Sequence, residues 1–114
     1  MKDEPLTGYI VFVSPKDEMP WVCELEEVSR SPMGNSVRFK TIDVDTNKMW
    51  AYPINALPPD SKSKALEQYQ MNRIGYLFGQ SEQENALRVK QIIAAEELLK
   101  PYRLIEKIFG PSHD

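Results

Sequence analysis

At 114 residues, with 41% apolar and 27% charged residues, the chain has the size and composition of one globular domain that buries its own core. It carries a net charge of −3, and the acid lies in front: six basic against ten acidic residues in 1–60, then eight against seven in 61–114, which argues against tight electrostatic binding of nucleic acid by the front half and favours a basic partner. The single Cys23 excludes an internal disulfide framework or a Cys-rich zinc site. No apolar run approaches the ~20 residues of a membrane span, and the opening Met-Lys-Asp-Glu-Pro does not read as a signal peptide, so a reducing compartment is expected.

In chain order, Tyr9 to Val13 is a short apolar run rich in β-formers and predicts a buried strand. Trp21 to Val28 alternates apolar and acidic residues and predicts a second strand, with Cys23 as a small core residue. Residues 29–36 are turn chemistry throughout. Val37 to Ile42 predicts a half-buried third strand, 43–48 a hairpin turn, and Met49 to Tyr52 a fourth strand. Residues 53–57 predict a 3₁₀ turn and a fifth short strand, ended by Pro58-Pro59. Five short strands in so few residues point to an SH3-like barrel.

The remainder reads as helical. Asp60 or Ser61 can cap a helix carrying Leu66 and Tyr69, and Met71 to Gly79 predicts an ordered, glycine-punctuated connector packed on the barrel. Ser81-Glu-Gln-Glu84 is a capping box. It opens a helix to about Leu99 with Val89, Ile92, Ile93 and Leu99 on one face. Pro101 is expected to kink or restart it, with Tyr102, Ile105 and Phe109 following at helical spacing before Gly110-Pro111. The expected architecture is α+β, mainly β. It comprises a five-stranded SH3-like or Tudor-like β-barrel over about 6–59 and a C-terminal helical bundle over about 60–110, in a single domain.

Catalysis finds little support, and the chain reads as no enzyme. His113, the only histidine, lies next to the C-terminus, so a Ser or Cys nucleophile lacks its usual base. Gly75 and Gly79 do not form a phosphate loop. Glu26-Glu27 and Glu96-Glu97 are sequence neighbours that point apart. Asp43, Asp45 and Asn47 have the spacing of an EF-hand's first ligands, but neither the glycine nor the twelfth-position glutamate follows, so no calcium site is expected. No cofactor is implied.

Trp21 is the most telling residue. A Trp just after a turn, at the mouth of a small barrel, is placed to be half exposed, where a ring face attracts methylated or quaternary ammonium groups; the alternative is that it plugs the barrel bottom. Gly8-Tyr-Ile-Val-Phe-Val13, a turn, then Met19-Pro-Trp-Val-Cys-Glu-Leu25 resembles the PWWP domain of chromatin proteins, within the wider Tudor-like group. Pro20-Trp21-Val22-Cys23 stands where the signature tetrapeptide would, Val37 to Phe39 resembles the third strand, and Trp50 to Pro58 the closing segment.

The resemblance implies a nuclear chromatin reader that binds methyl-lysine of a histone tail in an aromatic cage. Carried over, Trp21 is a cage wall, Phe39 a third-strand aromatic that either lines the cage or points inward, and Pro15 the end-of-strand cage position. Tyr52 and Trp50 are fourth-strand substitutes, of which one should face the core. Asp43, with Asp45, would hold the ammonium or the basic tail, or only form the turn. Glu18, Lys40 and Thr41 depart from the family's aromatic and Phe-Gly positions. The resemblance also implies transcription or other chromatin proteins as partners, and weak nonspecific DNA contact through Lys62, Lys64 and Arg73. The basic residues Arg88, Lys90, Lys100, Arg103 and Lys107, interleaved with Glu96, Glu97 and Glu106, read as a mixed solvated helix surface. The reading from a different class is an SH3-like adaptor for an unmodified peptide or a partner subunit.

Overall fold

A computed structural model describes residues 4–75 and 81–109, apart from the side chains of Glu106 and Phe109. Its elements are β1 (Thr7–Val13), β2 (Pro20–Arg30), β3 (Ser36–Thr41), β4 (Trp50–Pro53), α1 (Lys62–Gly75) and α2 (Glu82–Phe109). The four strands form one antiparallel sheet in the order β1-β2-β3-β4. The register slips between Glu27 and Ser29, so two residues of β2 oppose one of β3. Such a bulge bends its strand and raises the local twist. Here it curls the sheet into a half-barrel.

Strand alternation divides the core in two. On the inner face Leu25, Val37 and Phe39 are fully buried, with Leu6, Ile10, Trp50 and Tyr52 packed around them. On the outer face Val11, Val13 and Val22 meet Leu66 and Tyr69 of α1 and Ala95, Leu99 and Tyr102 of α2. The helices thus cover the back of β1 and β2. Ala95, with no side chain beyond Cβ, lets α1 come close, and Gln70 Nε2 of α1 donates to the Ile92 carbonyl (3.0 Å) and Glu96 Oε1 (3.1 Å).

The predicted α+β architecture is present in its coarser form, a barrel-like sheet with helices after it, but the fifth strand is absent. Residues 54–59 cross the end of β1 and make one rung, Tyr9 N–H to the Pro59 carbonyl at 2.9 Å. Residues 53–56 close a turn, Ala56 N–H donating to the Pro53 carbonyl at 3.0 Å, and Pro58 and Pro59 after it have no N–H to donate. Ser61 caps α1, its Oγ accepting from Lys64 N–H (3.3 Å), and Ser81 Oγ accepts from Glu84 N–H (3.2 Å) at the start of α2.

Three expectations need correction. Residues 71–75 belong to α1 and are no connector; the rest of that stretch lies outside the described residues. The buried stripe of α2 is Gln91, Ala95 and Leu99, with Ile92 half-buried beside it, whereas Val89 and Ile93 are exposed. Helix α2 runs through Pro101 without restarting. The proline removes only the bond to the Glu97 carbonyl, at an exposed position where water can replace it. Of the three apolar residues after it, Tyr102 is packed, Ile105 is exposed, and the Phe109 side chain and His113 lie outside the described residues.

Candidate peptide-binding surface

Trp21 and Phe12 stand opposite each other in the β1–β2 register. Both follow the parity of the inner face, Trp21 in line with buried Cys23 and Leu25, Phe12 with Ile10. The row therefore runs from the enclosed interior to an open end, where Trp21 keeps 43% of its surface exposed and Phe12 is half-buried. Their ring centroids are 6.2 Å apart at an interplanar angle of 48°, within the usual range of aromatic pairs.

A cation already uses this surface. Lys48, from the loop joining β3 to β4, places Nζ 5.8 Å from the Phe12 centroid, at the outer limit of cation–π attraction. The same loop brings Asp43 to the edge of β2, where its Oδ1 accepts the Glu24 N–H at 3.3 Å. Burial, with the Asp43 charge adding to it, pushes the Cys23 thiol up to about 11, so Cys23 is a core thiol rather than a nucleophile.

The turn between β1 and β2 fixes the entry to Trp21. Glu18 N–H donates to the Ser14 carbonyl (2.7 Å) and Ser14 N–H to the Met19 carbonyl (3.1 Å), and Glu18 takes a left-handed conformation, φ 58°. Helix α2 pins the turn through buried Gln91, whose Nε2 donates to the Glu18 carbonyl at 2.9 Å. Pro15 sits exposed in the turn.

The remaining expected site residues fall elsewhere. Phe39 has no accessible surface and lies in the inner core, edge-on to Tyr52 at 5.8 Å. It shares its face with Val37, so it forms no wall for a ligand. Tyr52 and Trp50 lie two residues apart on β4, hence on one face, and both pack on that core; the expectation that only one does is wrong. Burial raises the Tyr52 hydroxyl above its ordinary pKa. Asp45 is an exposed loop residue whose Oδ1 accepts the Asn47 N–H.

Lys62, Lys64 and Arg73 do not form one basic patch. Lys64 pairs with Asp60 at 3.1 Å, while Arg73 stacks on the Tyr69 ring at 4.6 Å. The nine residue steps from Lys64 to Arg73 span about 14 Å of helix. Phe12 is the residue of this surface that the sequence reading does not single out; its pairing with Trp21 follows once the β1–β2 turn is counted through. Among the described residues no cluster of His, Cys, Asp and Glu could hold a metal, and no helix is long and apolar enough to cross a membrane. No family model, curated protein or solved structure matches the chain.

Proposed function

We propose that this chain is a reader module, a PWWP-like or Tudor-like binding unit rather than an enzyme. In this reading its Phe12–Trp21 pair receives a methylated ammonium from a basic peptide, with a histone tail as the partner class and the nucleus as the place of action. The observation that carries the reading is the exposed Trp21 ring beside a second aromatic already approached by an ammonium. Methylation suits such a surface because it spreads the charge and lowers the cost of leaving water. The acidic front half would draw in a basic tail. With two walls instead of an enclosed cage, affinity should be modest, with dissociation constants on the order of 0.1–1 mM. Any DNA contact in this reading is weak and made to phosphates.

The test is an NMR titration with histone-tail peptides carrying unmodified or trimethylated lysine. The trimethylated peptides should shift the Trp21 indole N–H and the Phe12 ring signals, and Trp21→Ala should abolish those shifts in a protein that still melts cooperatively. Equal binding of unmodified peptides would favour the adaptor reading. Binding that survives Trp21→Ala would refute the site.

A further inference from the structure

The half-barrel leaves β1 with an unsatisfied edge. Glu27 N–H donates to the Leu6 carbonyl and Ser14 N–H to the Met19 carbonyl. With the β1–β2 register, these bonds fix the phase of the ladder: even-numbered β1 residues bond to β2, and Tyr9, Val11 and Val13 aim their amides and carbonyls away from it. Tyr9 N–H, bonded to the Pro59 carbonyl, confirms that phase. Beyond that rung no further backbone bond joins the crossing segment to β1, and the Val11 N–H and C=O have no partner among the described residues.

This edge forms the side of a groove of about 370 Å³. Tyr9, Ile10 and Val11 line one side, Leu57 to Pro59 and Tyr52 another, and Gln68, Tyr69 and Asn72 of α1 a third. Every lining residue is uncharged, in a chain that is 27% charged. Tyr69 is 92% buried, and its hydroxyl lacks a hydrogen-bond partner among the described residues.

We infer that this groove takes an uncharged, extended segment of a partner protein, which adds to β1 as the missing fifth strand. The exposed backbone groups call for a strand. The neutral walls disfavour a charged one, since a buried charge would find no counter-ion there. The helix and the crossing stand on either side of the edge, which favours a single inserted strand over a second copy that carries its own α1 and crossing. Tyr9 to Val11 spans about three residues, ~10 Å of extended chain. The inserted side chains would alternate between the inner core beside Ile10 and Tyr52 and the outer wall beside Tyr69. This site is distinct from the Phe12–Trp21 surface and does not rest on the reader proposal.

The full chain is titrated with acetyl-Ser-Val-Thr-Val-Ser-amide while amide hydrogen exchange is followed by NMR. Saturating peptide should slow exchange at Val11 by at least about tenfold. The same peptide with its central Thr replaced by Pro, or its Val residues by Glu, should have no effect. Gln68→Lys with Asn72→Lys, two exposed positions, should weaken binding by about tenfold or more with an unchanged melt. Trp21→Ala should leave it unaltered, which separates this site from the reader surface. Unchanged Val11 exchange at millimolar peptide, or equal binding to the double lysine variant, would overturn the inference. So would protection of Val11 that depends on protein concentration alone, which would mark the edge as a contact between copies.

Discussion

Lys48 lays its ammonium over Phe12, the residue that faces Trp21 across the β1–β2 ladder. The open aromatic surface is thus already in contact with a cation from its own chain. In the proposed reading a methyl-lysine displaces Lys48 or shares the pair with it, using the wider Trp21 face. The loop that carries Lys48 also carries Asp43, whose carboxylate is tied to the Glu24 amide.

Lys48→Ala should therefore strengthen binding of a trimethyl-lysine peptide. An exposed cation–π contact contributes about 0.5–1 kcal/mol, so the gain should be roughly two- to fivefold. Isothermal titration or NMR line-shape analysis measures it. A weaker affinity in the variant would mean that Lys48 supports the ligand rather than competing with it.

Phe39→Ala should cost about 3–5 kcal/mol, the usual penalty for emptying a large buried aromatic site. Trp21→Ala, at a half-exposed ring, should cost about 1 kcal/mol or less. Denaturant midpoints of the two variants give the contrast. Equal losses would show that the ring of Trp21 is as much a part of the core as that of Phe39.

Deleting the chain from Ser81 onward should destabilise the sheet instead of releasing an independent barrel. The deletion uncovers Val11, Val13, Val22, Leu66 and Tyr69, and it removes the Gln91 bond that holds the Glu18 carbonyl. Burying even two such side chains contributes about 3 kcal/mol or more. A melting temperature that does not fall would contradict this dependence.

Glu27 should make stability pH-dependent. The Arg30 guanidinium, then the Leu6 N–H, hold its carboxyl below the ordinary 4.5. A carboxyl with a lowered folded pKa stabilises the fold above its unfolded pKa, and that contribution fades as pH falls through the folded value. Glu27→Gln should thus lose a few tenths to about 1 kcal/mol at neutral pH. The difference from wild type should disappear in acid. Urea midpoints at both ends of that range provide the test, and a constant difference would point to lost packing instead.

The four strands were legible because their alternation and the turns between them are local features. For Trp21 the sequence allowed a half-exposed ring or a plug of the barrel bottom; the structure leaves 43% of it exposed. Phe39 was open to two readings because sequence shows that a residue shares a face with Val37 but not which face is enclosed. The fifth strand expected within 53–57 failed because that stretch turns instead, Ala56 N–H donating to the Pro53 carbonyl, and the two prolines after it offer no donors. The buried face of α2 was misjudged because hydrophobicity favours Ile93 over Gln91. Tertiary contact reverses that order: Gln91 reaches the Glu18 carbonyl, and Ile93 faces outward. Phe12 came into view only when cross-strand register set it opposite Trp21.

Gly8 and the two prolines carry a wider consequence. A Cβ on Gly8 would come within 2.6 Å of Pro58 Cγ, so strand and crossing meet there by shape, with Tyr9 to Pro59 as the one backbone bond. The seam is held shut at one end and left unzipped along the rest. The proline rings help keep it so, because a residue with an amide hydrogen at position 59 could donate a second bond at the Tyr9 rung. A sealed barrel would gain rigidity and lose its vacant lane. In this fold, openness is written into two side chains that fold back on their own nitrogen.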